Sequence, residues 1–388
     1  MKLSVWKADH CDAYKQLPIR QDHAGYCVVV LKGPDGVAYG FRPKTLLFGS
    51  NVAVVEYNAV SRFVSVLYTK VFGLPCISFF DDFAGVALKE LGSLPLECFE
   101  ELNEALGLMV KKEKSVQGDV ITFLGLKVSC VPSGVRIELP NDKREAYREQ
   151  ILAILEKGSC SQGDADSLFG RLQFCESAVF GRANRVFMVP IYLQKAAEHS
   201  SIPYRLRAAL VWFAKFLERP KVRLYKRPSP TVHAVLFSDA SLEAVGAAIY
   251  LPGKAPLVYA SLVPNWFWGK LNEGDNAIFV LEAFAALFAV QRLAGLGLMK
   301  PMNTYVFMDN NASLSVLIKA ASKCDLAGAA AFNFWAETEK AGLVPWLERV
   351  PTELSPADAP SRGEGEFTLA PFPSPELPHD LSMMLGLH

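Results

Sequence analysis

Two apolar runs, residues 76–80 and 83–88, are interrupted only by the pair Asp81-Asp82. Each run is short enough for a strand, and a two-residue polar break between them predicts a hairpin with both carboxylates at its tip. Upstream, residues 4–9 form a short apolar run that ends in Asp9 and enters a turn. If that strand neighbours the hairpin, Asp9, Asp81 and Asp82 meet. Carboxylates converging from different strands suit hard divalent ions that also bind phosphate oxygens.

Composition sets the wider limits. The chain has 388 residues, 51% hydrophobic and 21% charged, which describes folded protein with room for two or three domains. Its eight cysteines, at 11, 27, 76, 98, 130, 160, 175 and 324, include no CxxC pair and no close Cys/His cluster. Neither a zinc site nor a disulfide framework is expected, and an intracellular setting, cytoplasm or nucleus, fits best. The first thirty residues carry Lys2, Lys7, Asp9, Asp12, Lys15 and Arg20 where a signal peptide has an apolar block. The longest apolar stretch, 279–290, contains Glu282 and is too short to cross a bilayer, so no membrane partner is expected. Net charge is zero, yet residues 140–230 hold sixteen Lys/Arg against nine Asp/Glu. A basic middle between acidic flanks suits a protein that holds a polyanion, although solvated helix faces give the same pattern.

The coarse pattern divides the chain. Residues 4–9 and 26–31 read as strands, 27–41 as a hairpin around Pro34-Asp35-Gly36, 52–72 as a helix, and 94–106 as a helix ending at Gly107. Helices are predicted over 142–156, 162–178 and 204–217, followed by a basic, proline-punctuated linker at 220–230. Two strands around 241–243, a helix at 277–296, a strand at 304–308 and helices at 312–323 and 326–341 then indicate an α/β domain. The proline-rich end is read as an extended tail.

Within this frame the chain resembles the reverse transcriptases of retroelements, most closely those of DIRS-type (tyrosine-recombinase) retrotransposons. The matching segments are Trp6-Lys7-Ala8-Asp9-His10-Cys11-Asp12-Ala13-Tyr14-Lys15-Gln16-Leu17-Pro18 for motif A, Leu47-Phe48-Gly49-Ser50 for motif B and Phe80-Asp81-Asp82-Phe83 for motif C. Gly107-Leu108 with Lys114 resembles motif D, and Phe123-Leu124-Gly125 resembles motif E. The resemblance implies Asp9, Asp81 and Asp82 as catalytic metal ligands, Asp82 the least directly bound. It implies Tyr14 as the aromatic gate that excludes a 2′-hydroxyl, and Gly49 as a point of close backbone approach. Lys114 would assist the leaving pyrophosphate, with Lys111 and Lys112 as rivals for that role. Such enzymes have a fingers region before motif A, whereas eight residues precede Asp9 here; an N-terminally truncated palm is expected.

A second carboxylate set resembles the ribonuclease H of the same elements: Asp239 in Phe237-Ser238-Asp239-Ala240-Ser241 with Gly246 following, Glu282 on an apolar helix, Asp309 in Met308-Asp309-Asn310, and Asp358 in the stretch 350–362. A lone carboxylate on an apolar helix is costly unless it faces a site. Many relatives have a histidine before the last carboxylate; residues 347–357 contain none, and Glu353 is the nearest substitute. Gly170 to Phe174 and Phe180-Gly181-Arg182 fit the same family's middle region.

The expectation is therefore an α+β chain with a reverse-transcriptase palm at 1–132, a basic helical thumb or connection at 133–230, an α/β ribonuclease H-like domain at 231–365 and a tail at 366–388. Its implied function is RNA-directed DNA polymerase with ribonuclease H activity, using two Mg²⁺ or Mn²⁺ per active site. The implied partners are RNA template, DNA primer, RNA·DNA hybrid and dNTPs, with other element-encoded proteins as further candidates. The alternative is a truncated chain that binds nucleic acid without polymerising, with or without residual ribonuclease H activity.

Overall fold

A computed structural model describes residues 2–226, 233–298 and 302–374, with Pro378 and Ser382. The fold is α+β and divides into two compact units, Met1–Pro140 and Asn141–His388.

The first unit begins with β1 (Leu3–Asp9), the hairpin β2 (Val29–Lys32) and β3 (Ala38–Phe41), and α1 (Asn51–Phe72). It continues through the hairpin β4 (Cys76–Phe79) and β5 (Asp82–Leu88), α2 (Leu94–Ala105), β6 (Val116–Gly118), β7 (Val120–Phe123), β8 (Leu126–Val131) and β9 (Gly134–Glu138). Its central sheet runs in the order β4-β5-β1-β6, with β1 antiparallel to both neighbours. Alternation along β1 decides which side each residue serves. Trp6 and Ala8 join Val64 and Tyr68 of α1, Phe83 of β5 and Phe99 of α2 in one core, while Val5 meets Ala84 and Ile121 in another. Helices thus cover one face and β7–β8 the other. Trp6 pairs across the strands with Gly85, where an added Cβ would lie 2.5 Å from the indole. Only a glycine leaves that ring its seat.

The second unit opens with α3 (Asn141–Lys157), α4 (Gln162–Cys175), a π-helical segment Glu176–Phe180 and a 3-10 stretch Arg182–Phe187. Next come α5 (Met188–Gln194), α6 (Tyr204–Phe216) and β10 (Val222–Tyr225). Ser161 and Asp164 form a reciprocal capping box that starts α4 after the Gly158-Ser159 break. The strand β10 lies inside the stretch expected to be a linker, and α5 falls where no helix was predicted; residues 227–230 of that stretch lie outside the described residues. Much of the positive charge in 140–230 is engaged internally. Arg144 donates to the carbonyls of Leu217 and Glu218 at 2.7 and 2.8 Å, closing the end of α6. Arg185, Lys195 and Arg205 pair with Glu176, Asp166 and Asp325.

The remaining elements are β11 (His233–Ala240), β12 (Ala244–Tyr250), β13 (Leu257–Leu262), α7 (Asn265–Gly269), α8 (Ala277–Gly295) and β14 (Met302–Met308). They are followed by α9 (Asn311–Lys319), α10 (Asp325–Lys340), β15 (Leu343–Arg349), α11 (Asp358–Ser361) and β16 (Thr368–Leu369). The sheet order is β15-β14-β11-β12-β13-β16, with β11, β14 and β15 parallel and β12 antiparallel to both of its neighbours. Counted from β11 this is strand order 5-4-1-2-3 with one added edge, the ribonuclease H-like arrangement the sequence implies. The added edge falls in the stretch read as an extended tail: β16 pairs with β13, and Phe372 stacks on Phe284 at 5.5 Å. The helix α8 is 19 residues long and meets the length and composition of a membrane span, beyond the twelve-residue run read from sequence. Its residues from Val280 to Val290 are all buried, as befits the central helix of this unit.

Candidate active site

In the second unit the parallel pair β11–β14 is in register at Phe237 and Phe307, so Asp239 and Asp309, each two residues further on, come side by side. Glu282 lies in the second turn of α8, the sole carboxylate of that helix. Two caps fix the approach. Asn276 accepts from the Phe279 N–H to start α8, and Asn310 accepts from Ala312 and Ser313 to start α9 directly after Asp309. Ser313 then donates to the Phe279 carbonyl at 2.7 Å, tying the two helix starts together.

The result is a group in which one carboxylate oxygen each from Asp239, Glu282 and Asp309 lies within 4.8 Å of the others. It is the one such group of three or more His, Cys, Asp or Glu side chains among the described residues. Asp239 and Glu282 are buried, and their electrostatics follow from that. Burial, with the charges of Asp239 and Asp309 beside it, pushes the Glu282 carboxyl up to about 9. Burial also raises Asp239 to about 6, against the opposing hydrogen bond from Ser361.

Hydroxyls hold the other two carboxylates. Ser361 donates to Asp239 Oδ2 at 2.5 Å and Thr352 to Asp309 Oδ2 at 2.6 Å. Ser361 reaches Asp239 because the 357–361 backbone lies against Gly246, where a Cβ would sit 2.5 Å from the Ala357 carbonyl oxygen. Neither hydroxyl was assigned a role from sequence, although Ser361 stands in the quoted motif; no spacing rule signals a hydroxyl that orients a carboxylate from another element. Asp358 departs from expectation. It stands outside the three-carboxylate group and accepts from Arg362 at 2.9 and 3.0 Å, although its charge still reaches Asp239. Glu353 sits in the exposed 3-10 turn Thr352–Leu354, next to Thr352.

The donor set fits a hard divalent ion: oxygen ligands alone, converging from two strands and a helix. Glu282 Oε2 is buried without a hydrogen-bond partner. Three mutually repelling carboxylates in a buried pocket are stable only with protons or a cation among them.

In the first unit, Asp9 and Asp82 are direct cross-strand partners. Between β4 and β5 the turn consists of Phe80 and Asp81, one residue earlier than the expected Asp81-Asp82 tip, so that Asp82 opens β5; Phe80 is at φ 51°, a left-handed conformation that costs a bulky residue energy. Ser61 of α1 donates to the Phe80 carbonyl at 2.5 Å, and the His10 N–H to that of Asp81 at 3.0 Å, so this turn is held from two elements. Burial, then the hydrogen bond and charge of Asp9, raise Asp82 to about 6. For Asp9 burial acts upward, but Lys114 at 2.9 Å and the Asp82 hydrogen bond outweigh it and lower the pKa. Asp81 acts on Asp82, His10 and Tyr57 through its charge, yet the three aspartates do not form a group as tight as that of the second unit.

The other residues implied in this unit are placed as follows. Tyr14, in a 3-10 turn, packs on Phe48 at 4.9 Å and Tyr57 at 5.1 Å between ring centroids. Gly49, next to Phe48, has φ 87° with open space around it. Lys114 is engaged by Asp9. Sequence reasoning missed a buried chain behind them, in which His10 joins the Tyr57 hydroxyl at 2.6 Å and Asn103 Oδ1 at 2.8 Å. The turn Leu124-Gly125 has positive φ at both residues, as a type I′ hairpin turn requires.

No protein-family profile matches the chain, and no curated protein does. Among solved structures it is similar to a foamy viral protease-reverse transcriptase in complex with an RNA/DNA hybrid, with TM-score 0.47, 15% identity, and 91% of this chain and 45% of that one covered. A dRH form with double-stranded DNA matches at TM-score 0.46 and 15% identity over 90% of this chain and 57% of that one. A further complex with double-stranded DNA matches at 0.45 and 16%, over 90% and 68%. The chain spans about half the length of the first two.

Proposed function

We propose that the second unit hydrolyses the RNA strand of RNA·DNA hybrids with magnesium or manganese, and that the first is a palm for nucleotidyl transfer. Together they would copy RNA into DNA from a primer and dNTPs. The observation that carries this reading is the buried Asp239–Glu282–Asp309 group on a sheet of order 5-4-1-2-3.

A divalent cation held by Asp239, Glu282 and Asp309 would supply Lewis acidity to water and to the scissile phosphate. The chain's own work is positional. Ser361 fixes one oxygen of Asp239 and Thr352 one oxygen of Asp309, leaving the remaining lone pairs to converge. Glu282, whose carboxyl is pushed up to about 9 by burial and by the charges of Asp239 and Asp309, would have to lose its proton to serve as a ligand. Asp358 and Arg362 form a pair whose opening would add a fourth carboxylate. In the palm, Asp9, Asp81 and Asp82 are the proposed ligands, Lys114 is the cation nearest them, and Tyr14 lies where its ring is braced by Phe48 and Tyr57.

Incubation of the full chain with a hybrid labelled on its RNA strand tests this. Products are expected from the hybrid but from neither the RNA duplex nor the DNA duplex of the same sequence, and EDTA should abolish them. Asp239→Asn should slow cleavage by about 100-fold or more, since a lost ligand removes a large share of the metal's contribution, while hybrid binding persists. Hybrid binding without products from any substrate would favour the non-catalytic alternative.

A further inference from the structure

A cavity of about 570 Å³ opens in the second unit among α4, the π-helical segment, α5 and the end of α9. That volume suits a small organic ligand. Its walls include Phe169, Phe174 and Tyr192, and its charged lining comprises Glu176, Arg185 and Lys319. Glu176 is 4% exposed and ion-paired to Arg185 Nε at 2.8 Å; burial raises its pKa, against the opposing charges of Arg185, Arg182 and Arg223 around it. Glu339 lies beside Arg223 at Gly181, and the cavity's own lining sets two cations, Arg185 and Lys319, against the one carboxylate of Glu176. The local field favours an anion.

The aromatic side of the cavity is prepared independently. Phe169 and Tyr192 pack with centroids 5.5 Å apart, and Lys195 Nζ lies 4.8 Å from the centre of the Phe169 ring. Tyr192 remains 57% exposed on the rim, with Lys195 Nζ 5.8 Å from its ring centre. A segment of π-helix interrupts the helical run directly at Glu176, the kind of local defect that recurs at ligand sites. Aromatic faces beside guanidinium and ammonium groups recognise a flat ring that carries a phosphate.

From this arrangement we propose that the cavity binds a nucleoside monophosphate, free or as the 5′-phosphorylated end of a strand, with the base against Tyr192 and the phosphate toward Arg185 and Lys319. The site uses no residue of either carboxylate cluster, so it stands or falls apart from them.

Calorimetric titration of the full chain with AMP in EDTA, which removes divalent ions from the carboxylates, tests the proposal. Saturable binding is expected, weakened about tenfold or more by Tyr192→Ala and by Lys319→Glu, since one lost base stack or one lost phosphate contact is worth about that much. Adenosine, lacking the phosphate, should bind more weakly by a similar factor. Both substituted side chains are exposed, and unchanged circular-dichroism melting identifies variants that remain folded. A 5′-phosphorylated tetraadenylate binding more tightly than AMP would assign the site to strand ends, and equal affinity would assign it to free nucleotide. Absence of saturable AMP binding, or binding indifferent to both substitutions in folded protein, overturns it.

Discussion

Glu282→Gln should make the metal-free chain more stable and at the same time stop the cleavage of RNA proposed for it. Glu282 is 3% exposed, and its Oε2 has no partner. Its carboxyl, ordinarily near 4.5, is held at about 9 by burial and by the charges of Asp239 and Asp309. The folded chain therefore keeps a proton that the unfolded chain releases. With the folded pKa above the unfolded one for a carboxyl, stability falls as pH rises from 4.5 toward 9, and no such loss occurs below that window. Glutamine keeps the shape and removes the titration. At pH 8 without divalent ions the variant should be more stable by about 1–3 kcal/mol, read from urea midpoints, with the difference vanishing near pH 5. Cleavage of the hybrid should fall about 100-fold or more, because an amide is a poor substitute for a carboxylate ligand. A destabilised variant, or one that cleaves like the parent, would contradict the role given to Glu282.

Asp9→Asn is expected to have a comparably large effect on primer extension by the first unit. Asp9 is buried at the end of β1, accepts a hydrogen bond from Asp82 and pairs with Lys114 at 2.9 Å. Removing its charge leaves Lys114 without that partner and takes away the carboxylate that raises Asp82, whose pKa should move down from about 6. In protein that extends a primer on RNA, the substitution should reduce the rate about 100-fold or more with the hybrid-cleavage rate unchanged, since the two proposed reactions rest on different carboxylates. Equal extension by parent and variant would remove Asp9 from the site.

How much of this was legible in the sequence differs between levels. The strand β1, the Asp81-Asp82 hairpin, α1, α2 and the alternation of strands and helices after residue 232 follow from local apolar spacing, because each element shows its period within a few residues. Elements whose stability comes from distant partners did not show. The short strands β6 and β16 are made by pairing with β1 and β13, and α5 by packing among its neighbours. At the site, the motifs named the carboxylates, but spacing alone does not tell which of them converge. Asp239, Glu282 and Asp309 do so because strand register and two asparagine caps bring them together, whereas Asp358 is taken up by Arg362 one helical turn away. Ser361 and Thr352, which orient two of these carboxylates, have no signature until the loops that carry them are folded over the sheet. The basic excess in 140–230 likewise reads differently once Arg144, Arg185 and Arg205 are seen in internal contacts.

The central claim is that the buried carboxylates of the second unit form a divalent-metal site, and calorimetric titration of Mn²⁺ into the full chain tests it most directly. Loading must displace the proton held on Glu282 at about 9 and, in acid, the one on Asp239 at about 6. Affinity should therefore rise steadily from pH 6 to pH 9, with proton release detected as a dependence of the heat on buffer ionisation enthalpy. Asp309→Asn should weaken this binding about tenfold or more while the fold, followed by circular dichroism, is kept. Binding that is absent, independent of pH, or equal in the parent and the Asp309→Asn chain would contradict the assignment.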